Sequence, residues 1–84
     1  MVHIYDLIPT TSQKSFYGKA RVYQYDKHTV LYSYDTPVLA TDPETGELCR
    51  TWSGWSATTG KHIRSFCGLN KAEYFKLPYR NDIV

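Results

Sequence analysis

At 84 residues the chain has room for one small domain, whose core buries about 60 to 65% of the unfolded surface, so each large apolar side chain matters. A 42% hydrophobic and 15% aromatic content excludes a disordered chain, and a net charge of +2 falls short of the basic stripe of a dedicated nucleic-acid module. Eight tyrosines against one methionine point to pleated surfaces, where aromatic rings pack across strands.

Met1 to Ser12 holds one short β-capable run, His3 to Ile8, stopped by Pro9 and the hydroxyls of Thr10, Thr11 and Ser12. It reads as a first strand or an arm, and residues 1–14 are left as either. The run carries Asp6 and is too short for a signal peptide or a membrane span, so an intracellular, cytoplasmic location is expected. Ala20 to Tyr25 alternates as a strand, with Ala20, Val22 and Gln24 on one face and Arg21, Tyr23 and Tyr25 on the other. A tight turn over Asp26 to His28 joins it to Thr29–Tyr34, so the two should form an antiparallel hairpin.

Pro37 marks the start or edge of a third strand, Val38 to Thr41. Asp42-Pro43-Glu44-Thr45-Gly46 then reverses the chain, with Pro where φ is pre-set and Gly where positive φ is cheap. Glu47 to Trp52 returns as a strand, with Leu48, Arg50 and Trp52 on one face and Cys49 and Thr51 on the other. Two tryptophans and a hydroxyl pair then lead from sheet to helix. Thr58 or Thr59 is expected to cap a helix from Thr59 to Cys67, with Ile63, Phe66 and Cys67 on its apolar stripe and Gly68 closing it. Asn70 to Glu73 has capping-box spacing and predicts a short second helical turn, Ala72 to Lys76, stopped by Pro78. Residues 79–84 read as a loose tail. The fold expected over residues 1–84 is a single α+β domain: an antiparallel meander of about four strands, one helix packed on one face and a second helical turn.

Candidate chemistry is sparse. Gly54-Trp55-Ser56 opens like a nucleophile elbow, but Thr58 stands where the elbow needs its second glycine, and Ser56 reads instead as part of the helix-capping turn. His62 could serve as base, ligand or partly buried ring, and the last reading is preferred. Cys49, His62 and Cys67 lack the paired spacing of a structural zinc site, so no metal, cofactor or catalytic residue is assigned. The two cysteines read as reduced core thiols.

The aromatic set Tyr17, Tyr23, Tyr25, Tyr32, Tyr34, Trp52 and Trp55, interleaved with Lys14, Lys19, Arg21 and Arg50, carries more. Such a face can be the ordinary tyrosine cover of a sheet, dock on a protein, or offer stacking platforms to single-stranded nucleic acid. The expected binding residues are Arg21, Tyr23, Tyr25, Tyr32, Tyr34 and Trp55. A register slip of one residue would exchange the faces.

The segments SFYGKA (15–20), LYSYDTPVLA (31–40) and WSATTGKHIRSF (55–66) resemble a family of small uncharacterised proteins of phages and mobile elements in Firmicutes and other gut bacteria. The resemblance spans Ser15 to Phe66 and transfers no catalytic residue. It implies a phage-associated setting inside a host cell. The function expected is therefore a non-enzymatic binding protein that blocks or modulates a host protein or ribonucleoprotein complex, as an anti-CRISPR or another anti-defence inhibitor does. The alternative is a nucleic-acid-binding accessory protein that uses the Tyr/Lys/Arg sheet face. A homodimer is left open and no membrane partner is expected.

Overall fold

In the computed structural model, which describes residues 2–8 and 18–84, five antiparallel strands occupy the sheet in their sequence order. They are β1 (His3–Asp6), β2 (Ala20–Gln24), β3 (Thr29–Ser33), β4 (Thr36–Thr41) and β5 (Leu48–Arg50), followed by helices α1 (Ala57–Cys67) and α2 (Lys71–Phe75). The class is the expected α+β. The count rises to five because the His3–Ile8 run supplies a strand, paired with β2 from His3 opposite Gln24 to Asp6 opposite Arg21. The part of the arm reading that falls on residues 9–14 lies outside the described residues.

Short connections account for the meander. Tyr25 donates its N–H to the His28 carbonyl at 2.8 Å and closes the β2–β3 turn. In the Asp42–Gly46 loop the Asp42 carboxylate accepts the Glu44 and Thr45 amides, and Gly46 takes φ 76°, the part expected of it. Between β3 and β4 the register slips: Leu31 stands opposite Leu39 and Tyr32 opposite Pro37, leaving Val38 as the extra residue of a bulge. The bulge lets Val38 and Leu39 both enter the helix-side core, and it accommodates Pro37, which has no N–H for the ladder.

That core joins Val22, Leu31, Val38 and Leu39 of the sheet to Ile63 of α1 and Tyr74 of α2. The buried stripe of α1 is Thr59, His62 and Ile63, so it begins a turn earlier than the Ile63, Phe66, Cys67 stripe expected; Phe66 and Cys67 pack at its margin, partly exposed. The cap is also corrected. Ser56, in extended conformation, accepts the Thr59 N–H at 3.1 Å, and the helix starts at Ala57 rather than Thr59. Thr58 lies exposed in the first turn and Thr59 is turned into the core. Gly68 (φ 77°) and the Asn70/Glu73 capping box behave as expected.

The other sheet face carries a second cluster, Val30, Ala40 and Cys49, and the chain's end covers it. The expectation of a loose tail over residues 79–84 is thereby corrected. Arg50 donates its N–H to Pro78 O and accepts that of Arg80, both at 2.9 Å, so the tail runs beside β5 in a parallel bridge at Tyr79. Arg80 holds Asp42 and Asp82 with its guanidinium, and Ile83 is left only 8% exposed over the cluster. Two needs explain this docking: the outer backbone groups of β5 require partners, and three apolar side chains require a cover. Cys49 and Cys67 are free thiols, and burial raises the pKa of both. Among the described residues no helix is long and apolar enough to cross a membrane.

Candidate binding surface

Strand alternation turns Arg21, Tyr23 and Tyr32 away from the helices. Arg21 stands opposite Tyr32, and Tyr23 packs on Tyr32 diagonally, with ring centroids 4.7 Å apart and planes tilted by 48°. Tyr34 reaches the same place by a different route. It sits in the two-residue turn after β3 with φ 57°, a left-handed conformation uncommon for a bulky residue, and is fixed by donating its N–H to Lys19 O at 2.6 Å. The Lys19 ammonium lies 5.9 Å from the centre of the Tyr34 ring.

Together Gly18, Lys19, Arg21, Tyr23, Tyr32, Tyr34 and Asp35 line a hollow of about 290 Å³. Gly18 has φ 77°, and a Cβ there would lie 3.6 Å from Arg21 Nη2, so the guanidinium reaches along the wall to the loop before β2. Arg21 Nε also meets Asp6 Oδ1 at 3.5 Å, an exposed pair worth about 1 kcal/mol or less. Burial, and then the neighbouring Tyr25 and Tyr23, push the Tyr32 phenol above its usual range, which keeps it neutral.

Of the six residues expected to bind, Arg21, Tyr23, Tyr32 and Tyr34 thus meet at one hollow. Tyr25 stands apart at the β2–β3 turn, stacked on His28 at 4.7 Å with planes 8° apart. Trp55 is on the helix side, against Tyr74 and Phe75 at 5.4 and 6.4 Å, and it lines a separate hollow of about 340 Å³ with Ala57, Gly60, Lys61 and Arg64. Its indole lies so close to Gly60 that a Cβ there would come within 2.6 Å of Trp55 Cζ2. Gly60→Ala therefore reverses the usual sign: alanine normally stabilises a helix interior by about 1 kcal/mol, but here the overpacked ring should make the protein about 1 to 2 kcal/mol less stable. A melting temperature above the parent's would show that the indole yields freely.

Beneath the turn that carries Tyr34 lies a buried polar group that sequence reasoning missed. Ser33 Oγ is 2.9 Å from Thr59 Oγ1 and 2.8 Å from His62 Nδ1. The three residues are 2, 5 and 1% exposed. One signal was available: Ser33 is in phase with Leu31 on β3, and Thr59, His62 and Ile63 recur at i, i+3 and i+4 on α1. A serine bonded to a histidine can be an activated nucleophile, but this pair is closed off from solvent and joins α1 to β3. Burial, with Lys19 second, lowers the His62 pKa, and the Tyr34 ring lies 6.0 Å from the imidazole as part of its lid.

No curated protein and no solved structure matches this chain. A family model does, over residues 5–82, and so extends past both ends of the Ser15–Phe66 stretch that carries the resemblance, taking in the second half of β1 and most of the docked tail. The chain belongs to DUF8033, a family of unknown function.

Proposed function

We propose that this protein works by binding, without catalysis, and that it blocks or modulates a host macromolecule by docking the Arg21, Tyr23, Tyr32, Tyr34 hollow against it. The supporting observation is convergence: three tyrosines from two strands and a strained turn meet two cations around one concavity. Tyrosine and arginine supply much of the energy at protein interfaces, and a rigid aromatic wall loses little entropy when covered. The Ser33–His62 pair, which could have suggested hydrolysis, is sealed in the core. What supports a defence complex as the target, a CRISPR nuclease among them, is the resemblance of the 15–20, 31–40 and 55–66 segments to phage and mobile-element proteins. Lys19 and Arg21 beside stacking rings favour a second reading, a single-stranded nucleic acid.

Capture from host lysate, with and without nuclease, separates the two. Tyr34→Ala and Arg21→Ala should each weaken capture by about 1 kcal/mol or more while the melting temperature stays within a few degrees of the parent's. The Tyr25→Ala variant, outside the hollow, should bind as the parent does. Loss of capture on nuclease treatment, or a roughly tenfold weakening over a modest rise in salt, would move the assignment to nucleic acid.

A further inference from the structure

Hydrogen-bond phase determines which backbone groups of β1 remain unpaired in the sheet. Leu7 donates its N–H to Ala20 O at 2.9 Å, and β1 pairs with β2 without a register break. In an antiparallel ladder this phase turns the N–H and C=O groups of His3 and Tyr5 toward β2 and those of Ile4 and Asp6 outward, and extended chain at Val2 and Ile8, which flank the paired residues, would continue the outward set. Among the described residues no strand lies beyond β1. All four β1 side chains are exposed, and Ile4 and Ile8 are 48 and 78% exposed. Monomeric sheets blunt such an edge with lysine, proline or a bulge. This edge has one full charge, Asp6, already paired with Arg21.

We propose that β1 is a dimerisation edge, pairing antiparallel with β1 of a second copy of this chain about a two-fold axis through Tyr5. An axis normal to the sheet returns each face to its own side, so only residues of like facing can stand opposite one another. Centred on Tyr5, the pairing sets Ile4 opposite the partner's Asp6 and Val2 opposite the partner's Ile8. All four outward residues are then used, four pairs exchanging roughly two bonds each. Centring on Ile4 leaves Ile8 unused. In the Tyr5 register no two like charges stand directly opposite, and the two Tyr5 rings meet across a close, non-hydrogen-bonded position. The product is one continuous sheet of two copies, with both Arg21-bearing hollows facing the same side.

An edge this short buries less than a standard interface of about 1,600 Å², so association in the micromolar range or weaker is expected. Sedimentation equilibrium from about 5 μM to about 1 mM should show the apparent mass rising from one chain toward two. Ile4→Pro removes an outward N–H without touching the β1–β2 ladder, and Ile4→Lys places a charge on the edge; both should stay monomeric at the highest concentration with the parent's circular dichroism spectrum. Tyr5→Cys should give a disulfide-linked dimer on mild oxidation, where the parent, with Cys49 and Cys67 alone, does not. A single-chain mass for the parent at about 1 mM, or a dimer that survives both Ile4 variants, overturns the proposal. Failure of Tyr5→Cys to cross-link in an otherwise dimeric protein overturns the register.

Discussion

Tyr74→Ala should cost about 3 to 5 kcal/mol, a large share of the 5 to 15 kcal/mol that holds a small domain folded. Tyr74 is fully buried, joins the helix-side core, and packs against Trp55 and Phe75. Its hydroxyl donates toward Val38 O at 2.9 Å and Trp52 O at 3.0 Å, tying α2 to the bulge in β4 and to the chain leaving β5. Tyr74→Phe isolates the polar part. It keeps the ring but takes the hydroxyl from the Trp52 carbonyl and leaves Val38 O with the Thr51 N–H alone, for about 1 to 2 kcal/mol.

The same hydroxyl has an alkaline signature. Burial pushes its pKa from 10.0 up to about 12, so the folded state keeps a proton that the unfolded chain releases sooner. The stability this represents is complete below pH 10 and is lost as pH rises toward about 12. Chemical denaturation at pH 8 and pH 11 should show a steeper loss for the parent than for Tyr74→Phe. Equal slopes would mean that the phenol ionises without disturbing the core.

How much of this was legible in the sequence follows from the range of each signal. Alternation is local, so the β2–β3 hairpin, the Asp42–Gly46 reversal, the Gly68 close and the Asn70/Glu73 box could all be read directly. Arg21, Tyr23 and Tyr32 could be placed on one face for the same reason. Tyr34 was in phase with Tyr32 by alternation, but it reaches the hollow from a turn beyond β3 with positive φ, a conformation that no pattern forecasts for a tyrosine. Trp55 left the set because Gly60, five residues on, makes room for an indole on α1. Tyr74 belonged to a five-residue helix whose worth lies in partners 22 and 36 residues away. The tail looked loose because its partners, Arg50, Asp42 and the Val30 cluster, are remote in sequence. In sequence Thr59 and His62 read as cap and partly buried ring, because a polar residue inside a core declares itself only through the residue it bonds, here Ser33 on another element.

That buried bond sets the second large effect. His62→Ala should lower stability by about 2 to 4 kcal/mol at neutral pH, since it opens a cavity beneath Tyr34 and takes away a partner of Ser33. Its pH dependence separates loss of packing from loss of a neutral imidazole. Burial, and Lys19 after it, lowers the folded-state pKa of His62 below 6.5, so in acid the unfolded chain takes up a proton that the folded protein resists. Stability is then full above about pH 6.5 and falls as pH drops through that value toward the lower folded pKa. Asp42, held low chiefly by the Glu44 amide, and Asp82, held low by Arg80, lose their contributions only below their ordinary 3.8, outside this window. Denaturant titrations between about pH 7.5 and 4.5 should therefore show the parent losing stability while His62→Ala, less stable at the start, changes less and closes part of the gap. Parallel curves would show that His62 accepts its proton inside the folded protein, and that burial is not enough to keep the ring neutral.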